Sequence, residues 1–378
     1  MTSGGRASRG EMTTRFRIAP WALPGLLAYF AVRIASFIFV VIRCSVVHLS
    51  IPDQLSQWDG SWFMLWAQGL PRELPVFNGH VLQSPVAFFP FFGLLLRIVH
   101  VGLHLPLVLT GAALTAISGA LAVWCVARLA YEVGGEDVAR RSGVLLALSP
   151  GAFVFSLIYA EGFFLSFSAL ALLALYQRRW GRASLWAGLA TATSPLGLCL
   201  CVPTVFSLWR QWRRRERPTA LLPGAIPQLV FAAYILFLGH LTGRVDAWFI
   251  TERQGWNSSF SPGFTPHVVW VFLSNPLAPT LTQQLLFWGT VVGVTLAVVM
   301  IRSRLPIELI SYGVASLVLS ACSAPIGLRP RFLLCAYPLL IGLSASLPQR
   351  WWRPTWIISS LLLVLMTGLE LISWAVFP

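Results

Sequence analysis

The first long apolar run of the chain, from Trp21 to about Ile42, holds a single charge, Arg33, within a length that crosses a bilayer. Further apolar runs follow at about 86–104, 106–130, 142–158, 162–177, 183–208, 219–240, 283–301, 306–324, 332–348 and 355–376. With 57% hydrophobic and 11% charged residues, the chain lacks the polar groups to cover a water-facing surface. Soluble domains carry about 25% charged residues. In lipid every backbone polar group must be satisfied internally, which leaves helices or closed barrels. Apolar runs of about 20 residues each select helices, so the predicted fold class is an all-α membrane protein, a polytopic bundle of about 10–11 helices.

Residues 1–20 are rich in Gly, Ser, Thr and Arg and read as a disordered cytoplasmic tail. Residues 21–378 read as one transmembrane domain. The first run is too long for a cleaved signal and lacks a small-x-small exit. Arg33, near its middle, is expected to face the bundle interior. The stretch 44–84 breaks the apolar pattern with Asp53, Asp59, Arg72, Glu73, Asn78 and His80 among Trp58, Trp62, Phe63 and Trp66. It is predicted to be an outer loop carrying an interfacial helix around Ser61–Gln68. Segment 241–268 is a second polar stretch on the same side. The run 183–208, interrupted by Ser194-Pro195-Leu196-Gly197, is too long for one span and too short for two, as a broken or re-entrant pair would be.

The basic excess, 27 against 13 acidic residues, is entirely arginine. Most of it lies in short clusters between apolar runs, which is positive-inside anchoring rather than a nucleic-acid surface. Arg178-Arg179, Arg210 to Arg217, Arg302 with Arg304, and Arg350 with Arg353 read as cytoplasmic, as does the N-terminus. Arg140-Arg141 conflicts with them, because two full crossings over 86–130 would put this pair outside. The six cysteines form no CxxC pair and no Cys/His cluster, so neither a disulfide framework nor a metal site is indicated. No Gly-rich phosphate loop or other nucleotide motif is present.

Ionisable residues at membrane depth are costly, on the order of 2.5–3.5 kcal/mol each, and tend to be functional. Those beside the outward turns are Asp59, Glu161, the segment Asp246 to Asn257, and Arg329 with Arg331. All face one side, which predicts a single outward-facing polar cavity. Asp59, between Trp58 and Trp62, suits a general base or a cap for the helix that follows. Arg329 and Arg331 suit a lipid-phosphate clamp or interfacial anchoring. Glu161 is a site residue or a solvated turn. Glu252, Arg253, Trp256 and Asn257 combine stacking with hydrogen bonding, as sugar-binding surfaces do, or form another interfacial helix.

Four segments in order resemble one family: Gln57-Trp58-Asp59-Gly60-Ser61-Trp62, Pro85 to Pro90 (PVAFFP), Ser149-Pro150 through Tyr159-Ala160-Glu161, and Pro330-Arg331-Phe332 through Tyr337-Pro338. The set resembles the PIG-V-like mannosyltransferases, GT-C glycosyltransferases related to the second mannosyltransferase of GPI-anchor assembly. With the arginine-only bias of a GC-rich genome, the resemblance points to a bacterial, actinobacterial-type member of the cell membrane. It implies an inverting transferase that moves mannose from polyprenyl-phosphate-mannose, on the outer face, to an envelope glycolipid, lipoglycan or protein. Asp59 would be the base. Trp58, Tyr159, Glu161, Arg329 and Arg331 would serve the donor, and Gln57, Trp62, Glu252, Arg253, Trp256 and Asn257 the acceptor or sugar. No cofactor or metal is implied beyond the lipid-phosphate sugar. Two departures stand out: Tyr159-Ala160-Glu161-Gly162 where the family has Y-[ST]-E-[SA], and Ser194-Pro195 where it carries an Arg. The competing readings are a transporter or lipid flippase, and a non-catalytic subunit of the same fold.

Overall fold

Pro24 in the first turn and a left-handed His48 at the end bound α1 (Leu23–Val47). Its buried residues Gly25, Tyr29, Ser36, Val40 and Cys44 form one stripe, while Leu27, Phe30, Ile34, Phe37 and Ile42 stay exposed. That distribution suits a helix with protein on one side and lipid on the other. The structure, a computed structural model, describes residues 19–277 and 279–372. All but the last two residues of the expected N-terminal tail therefore lie outside the described residues.

After α1 come the short α2 (Ile51–Leu55) and α3 (Asp59–Gln68). A helix is thus present where an interfacial one is expected, starting two residues early. Strands β1 (Val76–Phe77) and β2 (His80–Val81) form a hairpin across Asn78-Gly79, both at positive φ as such a two-residue turn requires. A 3-10 turn at Pro85–Ala87 leads to α4 (Pro90–Leu103) and then α5 (Leu107–Leu148), which bends at Gly135 (φ 81°, ψ −171°).

α5 removes the conflict in the arginine pattern. Near its start, Thr115 bonds the backbone of Tyr159. Farther along, Tyr131 stacks on Trp21 at the head of α1, with ring centroids 5.4 Å apart. The chain is therefore still at the Asp59 end of the bundle when α5 begins. α4, with 14 residues, reaches about 21 Å, short of the roughly 30 Å hydrocarbon core. It makes no net crossing, so 86–104 is not a span. The bend at Gly135 then brings Arg141 to the carbonyl of Leu347 at 2.6 Å and 5.6 Å from the Trp352 ring. Arg140-Arg141 thereby joins Arg350 and Arg353 at one end.

The chain returns through a second 3-10 turn (Pro150–Ser156) and makes a 117° bend into α6 (Glu161–Tyr176). α7 (Trp180–Thr193), a 3-10 turn (Pro195–Leu200) and α8 (Cys201–Arg213) occupy the interrupted run. Ser194 caps the turn, and Gly197 lets it lie on Thr191, where a Cβ would come within 2.5 Å of the backbone. An Arg178–Glu216 ion pair joins the two ends of this segment, so 180–213 enters and leaves at the arginine-rich end as a re-entrant pair.

The remaining elements are α9 (Leu221–Thr242), α10 (Ala247–Ile250) running into a π-turn at Thr251–Gly255, β3 (Ser259–Phe260), α11 (Phe264–Ser274), α12 (Leu281–Arg302), α13 (Ile307–Ala321), β4 (Ser323–Ala324), α14 (Pro330–Cys335), α15 (Pro338–Ser346) and α16 (Gln349–Ile372). β3 pairs antiparallel with β4, Ser259 opposite Ala324. Helices α1, α5, α9, α12 and α16 are each long and apolar enough to cross a membrane. The chain is a polytopic, all-helical membrane protein.

Candidate active site

Three helix starts converge where the outward cavity is expected. Asp59 is the first residue of α3, Glu161 the first of α6, and Arg331 the second of α14. The Arg331 guanidinium bridges both carboxylates: Nη2 lies 2.5 Å from Asp59 Oδ2, and Nε contacts Glu161 Oε1. It also lies 4.7 Å from the Tyr159 ring centre and 5.3 Å from that of Phe332. The Asp59, Arg331 and Glu161 side chains are 16%, 15% and 8% exposed, so the pair of charges at Asp59 and Arg331 keeps a window to the outside.

Local sequence sets each member. Gly60 N–H donates to the Gln57 carbonyl at 3.1 Å, closing a tight turn with Trp58 at φ 58°, ψ −125°. These are type II′ angles, which favour glycine at that position. A tryptophan there stores about 1–3 kcal/mol of backbone strain, and such strain concentrates at functional sites. The capping role open to Asp59 is not used. Trp58 is the N-cap, without a side-chain cap bond, and the Asp59 carboxylate turns to Arg331. Ser61 instead donates to the Trp58 carbonyl at 2.9 Å. The hairpin apex is held by Thr115, whose hydroxyl accepts from Tyr159 N–H and donates to its carbonyl, both at 3.2 Å. Ile158 N–H donates to the Leu55 carbonyl at 3.0 Å, tying this hairpin to the loop before Asp59.

Two glycines fix the backbone that carries Arg331. A Cβ at Gly151 would lie 2.1 Å from the Pro330 carbonyl oxygen, and one at Gly289 would lie 1.9 Å from that of Leu328. The backbone at 328–330, leading into α14, is thus gripped from both sides at distances only glycine permits. Arg329 is buried, with Nη2 3.4 Å from the Pro325 carbonyl.

The second polar segment is folded over the first. Trp256 packs edge-on against Trp62 at 5.3 Å and Phe88 at 5.7 Å, and Gln254 accepts from Val81 N–H at 2.8 Å. The β3–β4 pair ties its far end to the chain just before Arg329. Glu252 lies near enough to Asp59 to feel its charge. Burial pushes the Glu252 carboxyl up to about 7, the Ser258 hydroxyl offsets part of the rise, and Asp59 adds to it. Arg253 and Asn257 are exposed. Gln57 contributes its backbone carbonyl to the turn. Of the residues expected here, Asp59, Tyr159, Glu161 and Arg331 come together, with Trp62, Trp256 and Glu252 around them.

Arg33 faces the interior, as expected, and donates to the Ala152 carbonyl at 2.8 Å and the Ser156 hydroxyl at 2.6 Å. Glu370 escaped the sequence reading. It is 2% exposed in α16, both its oxygens lack a hydrogen-bond partner among the described residues, and it faces the charges of Arg329 and Arg331. A lone acid inside the apolar run 355–376 was the available signal. Among the described residues, no three His, Cys, Asp or Glu side chains gather as a metal-ligand group.

No protein-family model and no curated protein matches the chain in sequence. Among solved structures, it is similar to ArnT from Cupriavidus metallidurans bound to undecaprenyl phosphate. The TM-score is 0.50 at 15% identity, over 79% of this chain and 56% of ArnT. The chain thus spans little more than half of ArnT's length. The Archaeoglobus fulgidus oligosaccharyltransferase tethered to an acceptor peptide gives a TM-score of 0.42 at 15% identity, over 76% of this chain and 47% of that one. The likeness to ArnT is one of fold: the two chains share a polytopic helical architecture.

Proposed function

We propose that the chain is an inverting glycosyltransferase that moves mannose from polyprenyl-phosphate-mannose to a hydroxyl of an envelope glycolipid, lipoglycan or protein at the outer face of the cell membrane. The observation that carries this reading is the convergence of Asp59 and Glu161 on Arg331 at one end of a GT-C-type bundle. Asp59 takes the proton of the acceptor hydroxyl. The acceptor oxygen then forms a bond to the anomeric carbon as the bond from that carbon to the phosphate oxygen breaks. The lipid phosphate leaves with the electron pair, and the configuration inverts.

Arg331 has two tasks in this scheme. Paired with Asp59, it holds the carboxylate in one orientation through a charge-assisted hydrogen bond. Its Nη1 makes no bond among the described residues, which leaves one edge of the guanidinium for a phosphate oxygen. Glu161 secures the far side of the guanidinium, and Tyr159 supplies the aromatic face beneath it. Trp62, Trp256 and Glu252 form the wall against which a sugar or acceptor would stack. That ArnT is seen bound to undecaprenyl phosphate supports a lipid-phosphate donor.

The test is transfer from polyprenyl-phosphate-mannose in membranes holding Asp59→Asn. Loss of a general base lowers turnover by about 10²–10⁴-fold. A folded variant with full transfer would remove Asp59 from this role. The re-entrant segment 180–213 is the one feature that favours a transporter or flippase. Lipid or solute movement by the purified protein, with no covalent product, would establish that reading instead.

A further inference from the structure

The end of the bundle opposite Asp59 holds a cavity of about 100 Å³ that the transfer reaction does not use. The re-entrant pair builds it. Arg178 enters from the turn before α7, Arg210 and Arg214 from the last turn of α8 and its end, and Ser207 and Gln211 from the inner face of α8. Glu308, at the start of α13, lines the far wall and pairs with Arg210, while Glu216 pairs with Arg178. Arg214 holds no carboxylate among the described residues. Three guanidinium groups thus meet two carboxylates, and the cavity keeps an excess of one positive charge.

All three are exposed, Arg178 and Arg210 to 49% and 45%, so water screens much of their mutual repulsion. The fold still holds them around one recess, where an anion would relieve what remains. Guanidinium groups with a hydroxyl and an amide match a phosphate, which accepts several charge-assisted hydrogen bonds at once. Trp180 and Tyr176 share the lining. Such amphipathic rings sit at head-group level in membranes.

The geometry points to a second anion site in this protein, at the arginine-rich end, that takes a phosphate group. A cavity of about 100 Å³ has room for a phosphate group. The membrane supplies such a group as the phosphodiester of an anionic lipid, and the aqueous phase supplies it as inorganic phosphate. The site stands on its own observations and does not depend on the transferase reading.

The test uses the full chain in phosphatidylcholine nanodiscs with a minor fraction of phosphatidylglycerol, followed by native mass spectrometry of the lipids retained. Wild-type protein is expected to keep phosphatidylglycerol over phosphatidylcholine. Arg214→Gln, at an exposed position, should weaken that retention about tenfold, the worth of one charge-assisted contact. Arg304→Gln, at the same end but outside the cavity, should leave it unchanged. Displacement of the lipid by millimolar inorganic phosphate assigns the site to free phosphate, and resistance to it assigns the site to the lipid. Equal losses in both variants, or no preference for the anionic lipid together with no phosphate binding, would overturn the proposal.

Discussion

Asp59 and Arg331 stand 272 positions apart in the chain and 2.5 Å apart in the fold. Glu161 closes the same guanidinium from a third segment. One guanidinium serves both carboxylates, so removing one member exposes the others.

Arg331→Ala leaves two carboxylates facing each other with no cation between them. Breaking a buried pair in this way costs about 3–5 kcal/mol. The variant should unfold at clearly lower temperature in detergent than Arg331→Lys, which keeps the charge. The lysine variant should still lose most transfer, because an ammonium cannot span Asp59 and Glu161 as a planar fork does. Thermal unfolding and transfer, measured on both variants, separate the two contributions.

Gly151→Ala and Gly289→Ala touch no reacting group. Each places a methyl carbon about 2 Å from a carbonyl oxygen of the 328–330 segment, at Pro330 and Leu328 respectively. The segment must move, and Arg331 with it. Overpacking of this kind costs about 1–3 kcal/mol. Both variants are expected to fold with lowered melting temperatures and to lose transfer out of proportion to that loss. Unchanged transfer would mean that the segment yields without moving Arg331.

Glu252 carries the pH prediction. Its carboxyl rises from 4.5 to about 7, chiefly through burial. The folded state then binds this proton more tightly than the unfolded chain does. The resulting stability is fully present below pH 4.5 and is lost as the pH rises through 7. Melting temperatures across that window should fall more steeply for the native chain than for Glu252→Gln, which cannot ionise.

The position of α5 predicts a labelling pattern. Glu73 lies on the Asp59 side and Asp137 beside the arginine-rich end, both exposed, and the native cysteines are buried or half-buried. In intact cells a membrane-impermeant maleimide should label Glu73→Cys and reach Asp137→Cys only after permeabilisation. Labelling of both from outside would contradict the arrangement of α4 and α5.

The sequence by itself determined the solvent and the fold class. A chain this apolar, cut into membrane-length runs, has only helices with which to satisfy its backbone in lipid. It also singled out Asp59, Glu161 and Arg331, because charges beside apolar turns are rare enough to be conspicuous. Periodicity and length did not reveal which runs cross. A 14-residue helix such as α4 and a re-entrant pair such as α7–α8 have the hydropathy of spans, and only their ends, fixed by Thr115 on Tyr159 and Arg178 on Glu216, show that they do not. Nor did local spacing choose between base and helix cap for Asp59. A carboxylate bonds to whatever donor the fold delivers, and the tertiary structure delivered Arg331, at the start of a helix whose entry Gly151 and Gly289 grip from distant parts of the sequence.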